Sequence, residues 1–535
     1  MLRTSRFLLS LLLLCSILFS PFTASAQEEA SSGAKPTVLS QVNEAIFSVL
    51  FFDVAFGAIQ IDEVTFDGTL VLNDDGSPKK QTVPVPFLVT ILSLGAIFFT
   101  FYHGFINIRG FRHALNIVRG KYDKEEDAGE ISHFRALTSA LSATVGLGNI
   151  AGVAVAIQTG GPGAVFWMML LALFGMTAKF NSCSLAQMYR QVNEDGSISG
   201  GPMYYIDLGL KNKGPIIAII GKILSVMFAI MVMGGALGGG NMFQANQTVE
   251  AFTGTFDLGS NAGHAIGIIM ACAVAVVILG GIKRIGAATS KIVPAMCGLY
   301  VFACLIIILT NLGNIPSAIG LIFSMAFTAN AAFGGTVGVI VRGITRAAFS
   351  NEAGLGSAAI AHAAAKTDEP IREGMVAMLG PLIDTIIICF MTSMVIIVTG
   401  TWANPELAAQ GGNIGVTLTT ESFRTVLPWF PTVLTICIGL FAYSTMISWC
   451  YYGERGWIYL LDHFGKGFGH KTLSLYRIVF VFFVYLGAVS KLQDVLDFSD
   501  AMILSIAFPN IIGSLFLVKE VRNRLDDYLN RFKND

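Results

Sequence analysis

Apolar residues in this chain come in blocks of about 20, the length a helix needs to cross the hydrocarbon of a bilayer, with short polar stretches between them. Eleven blocks are predicted as membrane spans: 85–105, 134–158, 164–187, 216–237, 263–281, 293–312, 329–348, 375–399, 427–449, 474–491 and 498–518. In lipid every backbone polar group must find its partner within the protein, so such blocks form helices. The pattern therefore predicts an all-α polytopic membrane protein, with its membrane domain over 85–518 and a basic tail at 519–535.

Upstream the pattern changes. Residues 1–26 have a basic start at Arg3 and Arg6, an apolar core from Phe7 to Leu18 and small residues at Ala24-Ser25-Ala26, the features of a cleaved signal peptide. Asn43 to Phe56 is apolar but too short to span and is interrupted by Asp53, which predicts an interfacial helix. From Ala58 to Pro84 the chain is polar with strand-like alternation (Val64, Phe66, Leu70, Val71, Leu72), and Asp75-Gly76 supplies a turn. Residues 27–84 are thus expected to be an extracytoplasmic segment ending in a small hairpin.

An odd number of spans starting outside ends inside, and Lys and Arg positions give an independent test. The expected inner segments carry Arg109, Arg112, Arg119, Lys121 and Lys124; Arg190, Lys211 and Lys213; Lys283, Arg284 and Lys291; Arg346, Lys366 and Arg372; Arg455, Lys466 and Lys471; and Lys519, Arg522, Arg524, Arg531 and Lys533. The expected outer loops 159–163, 238–262 and 313–328 carry none, 400–426 carries Arg424 alone and 491–497 Lys491 alone. This alternation predicts a mature N-terminus outside and a C-terminus in the cytoplasm.

Composition agrees: 54% of residues are hydrophobic and 13% charged, against roughly 25% charged in soluble proteins. A net charge of −1 offers no basic face for nucleic acid. Eight cysteines without a CxxC pair and seven histidines without HxxxH or HExxH spacing give no reason to expect a transition-metal site or another cofactor.

Span two contains Ser142-Ala143-Thr144-Val145-Gly146-Leu147-Gly148-Asn149-Ile150-Ala151-Gly152. Each interior glycine costs a helix roughly 1 kcal/mol relative to alanine, and backbone unwound in lipid is tolerated where it lines a cavity. Span seven has a similar stretch from Ala329 to Gly338. The two lie five spans apart, and because five is odd the second block is inverted relative to the first. Spans 2–6 and 7–11 then form an inverted repeat, with span one outside it. Glycine-broken helices at matching places in two inverted halves point to the site of a secondary transporter; close helix packing through small residues is the other reading.

A broken helix offers free N–H groups and partial positive charge where its second half begins, suited to a carboxylate, and free carbonyls where its first half ends, suited to Na⁺ or an ammonium group. Gly146 and Gly148 permit close backbone approach, and Asn149 adds a side-chain carbonyl. Ser444 and Thr445 in span nine are either bonded back to their own helix or neutral oxygen ligands for Na⁺. Trp449 is either an interfacial anchor or a pocket wall, and Gln244 either reaches a bound substrate or packs. Asp384 in span eight is a functional candidate because ionisable residues inside spans are costly; Arg135, Lys179, Lys222, Arg342 and Arg477 lie nearer span ends and can snorkel. A proton-coupled carrier would need a buried carboxylate such as Asp384, whereas a sodium-coupled one can use neutral oxygens alone. An enzymatic pairing of Ser350 with His362 in the small-residue stretch 349–362 has no triad spacing behind it.

Several stretches together resemble the alanine or glycine:cation symporter family, also called the sodium:alanine symporter family. They are Thr144 through Ala154, Gly160-Gly161-Pro162-Gly163-Ala164 with Phe166-Trp167-Met168, Gly200-Gly201-Pro202-Met203-Tyr204, Phe349 through Ala365, and Phe441-Ala442-Tyr443-Ser444-Thr445 with Trp449 and Tyr451-Tyr452-Gly453-Glu454. The resemblance implies a LeuT-type fold with a five-plus-five inverted repeat, and Na⁺-driven uptake of small neutral amino acids, alanine or glycine. It places substrate contacts on Thr144, Gly146, Gly148, Asn149, Gln244, Phe349, Asn351 and Trp449. It places sodium on main-chain oxygens near Ser142 and Val145 with the hydroxyls of Ser444 and Thr445, with no other metal. The chain departs from the family's pattern at Ala347 and Ala359, where glycine and proline are usual, and in its leader and 58–84 insertion. A proton-coupled carrier and a channel or sensor on the same fold remain as alternatives.

Overall fold

The computed structural model describes residues 51–62, 71–73, 75–124, 126–193, 196–259, 262–278, 281–327, 335–408 and 415–534. The expected signal peptide, residues 43–50 of the expected interfacial helix and 329–334 of span seven lie outside the described residues. Among the described residues, six helices are long and apolar enough to cross a membrane: Gly163–Met188, Pro215–Phe256, Ile282–Thr310, Pro370–Val398, Phe430–Leu461 and Leu492–Arg531. A seventh is a bent pair, His133–Thr144 with Gly148–Gly160, whose halves meet at 55°. Shorter apolar helices are Phe87–Tyr102, Ala262–Ile278, Leu312–Phe327 and Leu473–Val489.

The Gly163–Met188 helix runs through the bundle, packed on Gly335–Asn351, Pro370–Ala377 and Phe87–Tyr102. The Phe430–Leu461 helix packs on Pro215–Leu237, Gly281–Thr310 and His133–Thr144. The bent pair touches both long helices, His133–Thr144 on Phe430–Leu461 and Val153–Gly160 on Gly163–Met188.

Two expected outer loops are helical. The polar stretch after residue 237 continues the preceding helix through a wide π turn, Gly238–Met242, into Phe243–Phe256. Its polar side chains face protein, not water. Asn246 donates to the carbonyls of Gly487 (3.1 Å) and Ser490 (2.8 Å), and Glu250 accepts from Thr417 and Gln247 at 2.9 Å each. Residues expected as the loop 313–328 form Ile315–Phe327, which lies against Gly163–Met188. Trp167 fixes it there by donating to the Ala326 carbonyl at 3.0 Å and meeting the Phe327 ring edge-on.

The strands Gln60–Asp62 and Lys80–Thr82 pair antiparallel, Ile61 opposite Gln81. Residues 51–57 form a turn in which the Asp53 carboxylate accepts from the backbone N–H groups of Ala55 (2.9 Å), Gly57 (2.7 Å) and Val85 (2.9 Å). The basic tail continues the helix Ala507–Asn534, where Arg531 reaches Glu369 at 2.6 Å.

Candidate functional site

The helix His133–Thr144 starts with the Ser132 hydroxyl accepting from the Arg135 N–H at 3.4 Å. It ends at Val145, whose ψ of 89° leaves the helical region. A π turn, Gly148–Gly152, then begins the second half. The N–H of Gly146 is taken by the Asn149 side-chain carbonyl at 3.0 Å, and that of Leu147 by Gln244 Oε1 at 3.2 Å. The break is thus a bounded set of donors at a helix start, each met by a neutral amide oxygen. A carboxylate binds the same donors more strongly, since charge-assisted hydrogen bonds are roughly twice as strong as neutral ones.

Across the break stands Phe430–Leu461. Ser142 Oγ donates to the Ser444 carbonyl at 2.8 Å, and Thr445 Oγ1 donates to the Ser142 carbonyl at 3.0 Å. Ser444's hydroxyl turns back to Phe441 in its own helix at 3.0 Å, so the two adjacent hydroxyls behave differently. Trp449 is buried, with Nε1 donating to the Ala143 carbonyl at 3.2 Å; burial excludes the interfacial-anchor reading. Gly240 makes room for it, since a Cβ there would lie 2.3 Å from Trp449 Cγ. At Gly146 a Cβ would lie 2.4 Å from Thr445 Oγ1.

The Gly335–Asn351 helix closes the third side. Phe349 is buried beside Gly148 and meets Phe243 edge-on at 5.2 Å. Asn351 donates to Thr385 Oγ1 at 2.9 Å and accepts from the Ala353 N–H at 2.8 Å. Thr144 Oγ1 bonds back to the carbonyls of Ala140 and Leu141 at 3.3 Å.

The structure brings Ser142, Val145, Gly146, Gln244, Thr445 and Trp449 around one break, with Gly148 and Phe349 adjoining. Asn149 bridges this break to a second cluster: its carbonyl takes the Gly146 N–H, and its amide donates to Asp384 Oδ1 at 2.7 Å. Asp384 is fully buried and also accepts from Ser350 Oγ (2.6 Å) and Thr385 Oγ1 (2.8 Å). This knot, which links spans two, seven and eight, was visible in the sequence only through Asp384.

Lys179 corrects the snorkelling reading. It is 2% exposed and donates to the Asn351 carbonyl at 3.1 Å. Its signal was a lone charge amid Ala178 and Phe180. Ser350 and His362 are not paired: Ser350 serves Asp384, while His362 Nδ1 contacts Glu373 Oε1 at 2.5 Å. Glu373 also meets His133. Among the described residues no cluster of His, Cys, Asp and Glu has the shape of a metal site.

Such an arrangement, a bundle of apolar helices around a broken one with its polar groups turned inward, defines a multi-pass membrane protein. Residues 77–535 match the sodium:alanine symporter family, and the chain belongs to that family of amino-acid symporters. It is 43% identical over 433 residues to the sodium/alanine symporter AgcS of Methanococcus maripaludis, covering 81% of this chain and 92% of that one. It is 33% identical to a probable sodium/glutamine symporter, GlnT, of Bacillus subtilis, covering 83% and 88%. It is 32% identical to a putative sodium/proton-dependent alanine carrier, YrbD, of the same organism, covering 83% and 89%.

Proposed function

We propose that this chain couples the entry of Na⁺ to the uptake of alanine or glycine by alternating access. Eleven spans in a bacterial inner membrane would carry it, with spans 2–6 and 7–11 as inverted repeats of a LeuT-type fold and the N-terminus outside. The observation that carries the reading is the Thr445 hydroxyl, which is directed at the Ser142 carbonyl and not into its own helix. A cation between spans two and nine would collect the main-chain oxygens of Ser142 and Val145 with the hydroxyls of Ser444 and Thr445. Turning the hydroxyl protons away frees their lone pairs, and no carboxylate is needed.

The substrate carboxylate would take the N–H groups at Gly146, Leu147 and Gly148, displacing Gln244 Oε1. Thr144, Asn149, Gln244, Phe349 and Asn351 would frame the rest of the molecule, and Trp449 would set the size limit. Na⁺ bridging the two helices would fix the break in the geometry that presents those donors, so ion binding would precede and strengthen substrate binding.

Asp384 remains the centre of the proton-coupled alternative. Its carboxylate accepts from Asn149, Ser350 and Thr385, which ties it to the orientation of Asn149.

The test is uptake of radiolabelled alanine and glycine into proteoliposomes, with an inward Na⁺ gradient, with a proton gradient alone, and with neither. Accumulation only with Na⁺ is expected, and unlabelled glutamine should compete weakly. Uptake driven equally by protons alone, and lost in Asp384→Asn, would replace this reading. Equilibration without accumulation would make the chain a channel.

A further inference from the structure

Lys179, Glu352 and Asp384 are three buried ionisable side chains, at 2%, 2% and 0% exposure. Lys179 is linked to both carboxylates through their chain neighbours: it donates to the carbonyl of Asn351, the residue before Glu352, and Asn351 in turn donates to Thr385, the residue after Asp384. Arg346, on the helix leading to Glu352, is already paired with Asp500. One lysine therefore faces two carboxylates, which leaves one negative charge in excess. An uncompensated charge in an apolar interior is removed by taking up a proton.

The geometry selects the acceptor. Asp384 is solvated by three donors, Asn149, Ser350 and Thr385, as a carboxylate needs. Glu352 receives the Ser357 hydroxyl and is touched by the Trp449 side chain. Its backbone is left-handed, with φ 55°, at the point where the Gly335–Asn351 helix stops. The Tyr452 phenol oxygen, buried and with no hydrogen-bond partner among the described residues, acts electrostatically on it. The titratable or charged groups that face Glu352 are thus Lys179, Asp384 and Tyr452, one from each of three packed elements.

We infer that Glu352 binds a proton in this conformation, at a site separate from the substrate and Na⁺ positions, and that transport requires the proton to stay bound. The bond formed is O–H on the Glu352 carboxyl, and the proton comes from and returns to water. Because Glu352 adjoins both Asn351 and Trp449, losing the proton would place an unbalanced charge beside the substrate pocket and slow the cycle.

Infrared difference spectra of the full chain in lipid, taken between acid and alkaline pH without substrate or Na⁺, test the site itself. The carbonyl stretch of a protonated carboxyl is expected in wild type and in Asp384→Asn, and is expected to be missing in Glu352→Gln. A wild type without this band, or a band lost in Asp384→Asn and kept in Glu352→Gln, overturns the inference. These spectra do not depend on symport, so their failure is separable from that of the transport reading. In proteoliposomes, wild-type uptake should fall roughly tenfold per pH unit once Glu352 loses its proton, and Glu352→Gln should vary by no more than about twofold. Glu352→Asp, which keeps the acid if Gln prevents folding, should retain the fall. A Glu352→Gln profile identical to wild type, or a flat profile in Glu352→Asp, overturns the coupling to transport.

Discussion

The Thr445 hydroxyl donates to the Ser142 carbonyl at 3.0 Å, joining residues 303 apart in the chain. This contact crosses from the broken helix to Phe430–Leu461 beside it. Removing it as Thr445→Ala should raise the Na⁺ concentration for half-maximal uptake by about tenfold or more, from the roughly 1.5–3 kcal/mol of an interaction with a charged partner. Thr445→Ser keeps the oxygen and should stay near wild type. Na⁺ titrations of alanine uptake decide it; equal Na⁺ dependence in wild type and Thr445→Ala would move the ion elsewhere.

Trp449 packs against Gly240 beside the break. Trp449→Ala should let larger neutral amino acids compete with alanine, and should lower stability by about 3–5 kcal/mol, as large-to-small core changes do. Competition assays read the first effect and thermal unfolding in detergent the second. An unchanged size limit in a folded variant demotes Trp449 to packing.

Asn149 and Asp384 form a pair within the buried polar knot. Asn149→Asp sets two carboxylates against each other and should abolish transport. Adding Asp384→Asn should restore part of the lost stability, with a coupling of about 0.5–3 kcal/mol in a double-mutant cycle. Strict additivity would show that the pair is not an energetic unit.

At the other end of the molecule, three backbone N–H groups, that of Val85 foremost, hold the Asp53 carboxyl below its usual titration range. A lowered value in the folded state means that the turn is stabilised at pH above the ordinary Asp range and loses that support as pH falls through the lowered value. Hydrogen exchange at the Val85 amide, corrected for its intrinsic pH dependence, should lose protection in mild acid in wild type. Asp53→Asn should show reduced protection already at neutral pH and no such acid step.

How far the sequence reached follows from what kind of signal each residue gives. Glycines at 146 and 148 inside an apolar run are a strong local signal, and the bend there is 55°. Polar residues after Gly240 read as loop because hydropathy registers Asn246 and Glu250 as solvated; their partners, Ser490 and Thr417, lie far along the chain. Lys179 misled for the same reason, since snorkelling and burial differ only in what surrounds the ammonium. Thr445 illustrates the opposite limit. Its residue type allowed both a local bond and a distant one, and only the packed helices show which it makes.

The wide turns Gly148–Gly152, Gly238–Met242 and Leu382–Cys389 have a consequence for how the chain tolerates change in length. A π turn is an α-helix with a surplus residue. Losing that residue at Gly239 would close the turn and leave the helix beyond it in phase, whereas closing the turn to normal pitch with every residue kept would spin everything beyond it by about 100°, the angle of one α-helical residue. Asn246 and Glu250 would then leave their partners, and Gln244 would swing off the break. Span length would survive such a closure, but phase would not. The three turns therefore act as angular settings that decide which face of each helix looks at the pocket.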